Sequence, residues 1–419
     1  MVNDESGGRL ILRGTNVSAD AKRCPDLLPP YGEADFARLR DEIGASAIRL
    51  LVFWEAIEPE PGRYHEAYLR GVRARVEAAG RAGLRVIVDM HQDLWGRGFG
   101  SAGAPEWAGD ARDYDAYRPA RPWMLGYFRP EIARAFDRLW NDEALQGAFA
   151  AAWARLAFAL RDAPAVFAYD VLNEPFWGTG HPDRFDRCVA PRFYARVIEA
   201  IRAVDPRPWI AIEPAAIAST GWRSSFLAPR RERLLFAPHL YPPAVELGIG
   251  WPGDRAALDR HVARLAGTAA NAGLPWLAGE VGVRREVPGA VQYLEEALDA
   301  LDVAHAGFFH WDLGRSASGY ALWEEDGSPS ALARALARAQ PVRIAGEPIR
   351  WHWDRDARRF ELEWNEDGSA SGETIVAVPT LAFPDGFVAH LDDGAPSRVE
   401  GTRIHVSQSG GTRRLRVVP

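Results

Sequence analysis

The chain alternates between short, wholly apolar runs and longer stretches whose apolar residues recur at helical spacing. The runs are LILRGTNV, SAIRLLVF, LRVIVDMH, VFAYDVLNE, WIAIEP, LLFAPHLY, PWLAGEV and AGFFHWD, with stretches such as YLRGVRARVEAAGRAG and YARVIEAIRAVD between them. A strand that is apolar on both faces must be covered on both. Such runs separated by amphipathic helices therefore predict a parallel sheet wrapped by helices. Eight units over about 330 residues predict an α/β fold, a (β/α)8 TIM barrel spanning residues 1–341. A doubly wound open sheet would want a glycine-rich phosphate loop after a strand, and the sequence has none.

After Pro341 the pattern changes. RRFELEWNEDG, TIVAVPT, GFVAHLDDG, TRIHVSQ and RRLRVVP are short strand-like runs with turn residues between them. They predict a small β-sandwich at 342–419, placed as a structural cap on the barrel. One connection in the barrel is long. Between His91 and the helix containing WARLAFAL lie about 55 residues, and connections of that length are functional or disordered. This one carries Trp95, Phe99, Trp107, Tyr114, Tyr117, Trp123, Tyr127, Phe128 and Trp140, too many rings for disorder. The rings are expected to pack on one another and to wall a groove.

Composition narrows the partners. The 419 residues are 47% hydrophobic and 26% charged, which excludes long disorder. A net charge of -7 excludes nucleic acid as the main partner, since a phosphate footprint needs a basic surface. Nearly all the basic residues are arginine, and Lys22 is the only lysine. Cys24 and Cys188 make neither a disulfide framework nor a metal site and read as two free thiols. No stretch of eighteen apolar residues is present. The opening MVNDESGGRLILRG is too polar for a signal peptide. A cytoplasmic protein and a secreted one whose signal has been removed both stay open.

Reactive groups of such a barrel sit at the C-terminal ends of its strands. The last polar residues of the runs are Asn16, Arg49, His91 with Asp93, Asn173 with Glu174, Glu213, His239 with Tyr241, Glu280, and Trp311 with Asp312. Each alone has an ordinary structural explanation; their recurrence at nearly every strand end does not. Glu174 and Glu280 follow the fourth and seventh runs, which face each other across an eight-stranded barrel. Glycoside hydrolysis needs such a pair, one acid for the leaving oxygen and one carboxylate for the developing oxocarbenium ion. Asn173 would donate to the sugar 2-hydroxyl, Arg49 and Tyr241 would hold Glu280, and Trp311 would offer a flat face to a pyranose. His91 and His239 lie on opposed strands without paired ligand spacing, so no metal and no cofactor is expected.

The strand-end Asn173-Glu174-Pro175, Gly279-Glu280 and Trp311 together resemble glycoside hydrolase family 5 of the clan A barrels, from about residue 10 to residue 345. "VSADAKRCPDLLP", "FWEAIEPEPGRYHEAYL", "VIVDMHQDLW", "GAPEWA", "FRPEIARAFDRLWND", "AYDVLNEPF" and "APHLYP" look specifically like endoglycoceramidases, which also end in a β-sandwich. The resemblance implies that Glu174 is the acid/base and Glu280 the nucleophile. It implies that Lys22 and Asp93 hold the sugar nearest the cleaved bond. His91, Asn173, Arg49, His239, Tyr241, Trp123 and Trp311 fall on the remaining pocket positions. Two departures stand out: Val281 follows Glu280 where the family usually has Phe, and DLGRSASGYALWEEDG after Trp311 is unlike the family.

The expected function is thus a retaining endo-β-glycosidase cleaving between the glycan and ceramide of glycosphingolipids. A β-glucosidase or β-galactosidase acting on glycolipid, steryl or aryl glycosides is the alternative. An inactive sugar-binding barrel is the reading from another class, disfavoured because both acids are present with their supports. The expected partners are the glycolipid itself and a membrane or micelle surface touched transiently, with the protein a monomer.

Overall fold

The computed structural model describes residues 1–18, 20–314, 319–392, 394 and 397–419. Its first architectural unit is the expected barrel. The strands are β1 (Arg13–Val17), β2 (Ala47–Val52), β3 (Arg85–Met90), β4 (Val166–Asp170), β5 (Trp209–Ile212), β6 (Leu234–Phe236), β7 (Leu277–Val281) and β8 (Gly307–His310). They pair in parallel in the order β6-β5-β4-β3-β2-β1-β8-β7. Bridges Phe236 to Trp276 and Leu240 to Val281 close the ring between β6 and β7. Every residue of β1, β2 and β7 is buried, which is why these strands read as unbroken apolar runs.

Inside the barrel, apolar side chains fill the end where the strands begin. Leu12, Ala47, Ile87, Ala168, Leu235 and Phe309 belong to this cluster. The strands' C-terminal ends carry the chemistry.

The long third connection is not loop throughout. It contains a helix, Pro130–Asn141, started by proline at its first turn, where a missing N–H costs nothing. Asp142 then caps the next helix, Glu143–Leu160, accepting from the N–H groups of Ala144 and Leu145. Tyr127, Phe136, Trp140 and Phe176 pack ring on ring with centroids 5.7–6.3 Å apart. The aromatic wealth of this segment therefore rigidifies the wall of the cleft, as aromatic pairs do.

The second unit is a β-sandwich. Its strands are β9 (Gln340–Ile344), β10 (Glu347–Asp354), β11 (Arg359–Glu366), β12 (Thr374–Ala377), β13 (Val388–Leu391), β14 (Ser397–Glu400), β15 (Arg403–Val406) and β16 (Gly411–Val418). One sheet runs β10-β11-β16-β13, the other β9-β12-β15-β14. Two short strands from the start of the chain, Val2–Asn3 and Arg9–Leu10, extend the second sheet: Arg343 pairs with Leu10 and Ile344 with Arg9. The division expected at 341 thus falls inside β9, and residues 2–10 lie in the sandwich sheet rather than in the barrel. Two-residue strands carry no periodicity, so nothing local announces their long-range pairing.

The two units meet at the barrel end away from the strand C-termini. Asp302, just before β8, pairs with Arg13 at 2.5 Å and Arg338 at 2.9 Å and accepts from the Trp351 indole at 2.7 Å. Thr402 Oγ1 donates to Asp41 and Arg403 to the Ala45 carbonyl, both ahead of β2. The sandwich therefore leaves the opposite mouth of the barrel open.

Candidate active site

At that open mouth lies a cavity of about 540 Å³. Glu174 and Glu280 reach into it from the ends of β4 and β7. A carboxylate oxygen of each, with one ring nitrogen of His239, lie within 4.8 Å of one another. Two local features place them. Gly279 precedes Glu280 because a Cβ there would stand 2.9 Å from the Ala237 carbonyl and 3.1 Å from the His239 ring. Glu174 adopts φ 43, a left-handed conformation that a side chain disfavours. Its N–H donates to Glu213 Oε2 at 2.9 Å, which holds the turn.

Arg49 organises the floor. Fully buried, it donates to Glu280 Oε1, Glu213 Oε1, Asn173 Oδ1 and Asn16 Oδ1 at 3.0 Å each, and to Asp170 Oδ2 at 2.9 Å. Asp89 Oδ1 lies 3.0 Å from the same guanidinium. Burial alone would lower its pKa, but Asp89, Asp170, Glu213 and Glu280 outweigh burial and raise it well above the ordinary arginine value. One cation cannot neutralise four carboxylates. Asp170 feels the imbalance: burial raises its pKa, against the pull of Arg49, and Glu213 and Asp89 raise it further.

His239 sits between the acids. Nδ1 is 2.9 Å from Glu174 and 3.6 Å from Glu280, and Nε2 is 3.3 Å from Glu213. Burial lowers its pKa, yet Glu213, Glu280 and Glu174 raise it far above the usual histidine value. Among the described residues its one hydrogen bond is from Nδ1 to Glu174 Oε1 at 2.9 Å, so the ring orients that acid. Glu280 is itself raised by burial, then pulled back by His239 and Arg49 while Glu174 pushes it up. The Tyr241 hydroxyl donates to its second oxygen at 2.9 Å.

The expected sugar-binding residues divide into two sets. Lys22, Asp93, His91, Asn173, Tyr241 and Trp311 line the cavity. Arg49 and His239 are not among its lining residues; both are buried and contact the acids. Lys22 pairs with Asp93 and stands 4.6 Å over the Trp311 ring. His91 stacks on the same indole at 5.4 Å and pairs with Asp89 at 2.8 Å. Asp93 is lowered, since Lys22 and His91 outweigh its burial. Asn173 accepts from Arg49 and donates to the Gln92 carbonyl at 3.1 Å, leaving one amide hydrogen for a ligand. Trp123 stands instead on an apolar flank with Met124, Phe128, Phe176 and Trp177.

The departure noted after Trp311 includes residues 315–318, which lie outside the described residues; Tyr320, just beyond, lines the cavity. Glu213 had been visible as a strand-end residue without a role, and its contacts with Glu174, His239 and Arg49 now give it one. Glu246 also lines the cavity, and nothing in its local sequence, PPAVELG, distinguishes it from a surface acid.

A (β/α)8 barrel with paired acids over one cleft is the architecture of a glycoside hydrolase. The family described as cellulase, glycosyl hydrolase family 5, matches residues 4–317, and the glycoside hydrolase family 5 C-terminal domain matches residues 338–417. The chain belongs to glycoside hydrolase family 5. It is 28% identical over 426 residues to endoglycoceramidase I of Rhodococcus hoagii, covering 96% of this chain and 83% of that one. The structure of endo-glycoceramidase II from Rhodococcus sp. in complex with ganglioside GM3 superimposes with TM-score 0.90 at 30% identity, over 100% of this chain and 99% of that one. The same protein as a lactosyl-enzyme intermediate gives 0.88 at 30% identity and the same coverage.

Proposed function

We propose that the protein hydrolyses the β-glycosidic bond between glycan and ceramide in glycosphingolipids, with retention of configuration. One observation carries this reading: both acids open into a single cavity lined by both polar and apolar side chains. Lys22, Asp93, His91 and Asn173 suit sugar hydroxyls. Trp123, Met124, Phe128, Phe176, Trp177 and Ile217 suit a lipid. Glu280 is the nucleophile, aimed by Arg49 and Tyr241, each of which donates to one of its oxygens. Glu174 protonates the leaving oxygen, then deprotonates the water that releases the sugar. A carboxylate oxygen of each acid lies within 4.8 Å of the other, close to the separation of about 5 Å in retaining enzymes and short of the wider gap of inverting ones. The lactosyl-enzyme form of the relative supports the same two-step course.

The mouth of the cavity supports contact with a lipid surface. Phe128 is 61% exposed and Trp123 48%, with Leu125, Trp222, Leu247 and Ile249 also exposed. Aromatic rings of this kind settle at membrane interfaces.

Retention is the direct test. In an NMR time course with an aryl β-lactoside, β-lactose is expected before mutarotation; α-lactose as the first product would overturn the mechanism.

Lys22 offers a second test. Its ammonium, held by Asp93 over Trp311, is placed to bind a hydroxyl of the sugar beside the cleaved bond. Arginine keeps the charge but replaces a compact donor with a planar fork too large for the gap. A charge-assisted hydrogen bond contributes roughly 1.5–3 kcal/mol, so Lys22→Arg is expected to lower kcat/KM by about 10- to 150-fold. Tm should barely move. Rates within twofold of the parent for both Lys22→Arg and Lys22→Ala would remove Lys22 from the site.

A further inference from the structure

Glu246 ends the short helix Pro243–Glu246 that follows β6, and its side chain lines the cavity beside Tyr241, Glu280 and Tyr320. Among the described residues its carboxyl has no hydrogen bond and no ion pair. Partly buried and close to two other acids, its carboxyl faces the cavity with its hydrogen-bonding capacity free for a ligand. Burial, then the charges of Glu174 and Glu280, push it up to about 7. Near neutrality it is thus available both as acceptor and as donor.

The position of the other groups says which part of a ligand it meets. This argument rests on the proposed roles of Glu174 and Glu280. With those roles, C1 of a bound pyranose would sit between Glu280 and Glu174 and its 2-hydroxyl at Asn173. His91, Asp93 and Lys22 would then take the 3- and 4-hydroxyls. The circuit left for C5, its hydroxymethyl group and the ring oxygen is the side of Tyr241, Glu246 and Tyr320. We infer that Glu246 binds the primary 6-hydroxyl of the sugar at the cleavage point and so selects hexosides with a free 6-hydroxyl over pentosides and 6-deoxy or 6-substituted sugars. Glu246 is then a specificity-determining residue, satisfied only when the correct sugar is bound. A sugar lacking the hydroxyl leaves the acid buried and unpaired, which is how polar sites reject analogues.

The test compares 2,4-dinitrophenyl β-lactoside with the same lactoside lacking the 6-hydroxyl on its reducing-end glucose. The parent should favour the first by about 10-fold or more in kcat/KM. Glu246→Ala should lower only the normal lactoside, bringing the ratio to within about threefold of unity, the signature of a direct pairwise contact. Glu246→Gln, which keeps size and an acceptor oxygen, should preserve most of the preference and guards against misfolding of the alanine variant. Equal loss on both substrates would mean that Glu246 acts only through the charges of Glu174 and Glu280, and overturns the assignment. No loss on either overturns it as well. A parent inactive on both lactosides would instead overturn the glycosidase reading, and this assignment with it.

Discussion

Glu280→Ala is expected to lower turnover of an aryl β-lactoside by roughly 10⁴-fold or more, as removal of a covalent nucleophile does. The fold should survive, because Arg49 keeps Asp170, Glu213, Asn173 and Asn16 as partners. The loss should be chemical and reversible in a specific way. A lactosyl fluoride of α configuration resembles the missing glycosyl-enzyme and places its fluoride where the carboxylate stood. With Glu174 still present as base, the variant should transfer that sugar to a sphingosine-like alcohol and leave the product unhydrolysed. A purified variant within tenfold of the parent, or one that is dead but makes no transfer product, would place the nucleophile elsewhere.

Glu174→Gln should split its effect by leaving group. An alkyl or ceramide glycoside needs its oxygen protonated, so kcat/KM should fall by about 10²- to 10⁴-fold. Dinitrophenolate leaves without help, and kcat/KM for its glycoside should stay within about tenfold of the parent. Its kcat should still drop, because the second step loses its base and the glycosyl-enzyme accumulates. Azide, a nucleophile that needs no base, should restore kcat and yield a β-glycosyl azide. Glutamine keeps an oxygen for His239, so the geometry around the acid is retained. Equal losses on dinitrophenyl and alkyl glycosides would count against Glu174 as the acid.

What the sequence disclosed follows from what local pattern can encode. Buried strands must be apolar throughout, so all eight barrel strands were visible, and with them the residues at their ends. Glu174 and Glu280 were legible because each interrupts an apolar run where the barrel opens. The helix Pro130–Asn141 had its signals, a proline start and an apolar face, but lay in a segment dominated by its rings. Arg49 and His239 were found by position, but a sequence does not say how far a strand-end side chain reaches into the cleft. The load on Arg49, shared by carboxylates from β3, β4, β5 and β7, is a property of closure and has no local trace. Glu246 sits outside any strand end, in a stretch with no period, so only the shape of the cavity singles it out.

The pairing of residues 2–10 with β9 makes the barrel an insertion in the sandwich sheet. On the ribosome, Leu10 emerges long before Arg343, and at about 5–20 residues per second the gap is some tens of seconds. The barrel can close in that interval while its leading segment waits as an unpaired ribbon. A single cut between barrel and sandwich would also fail to free either half, since the first strands would still tether them.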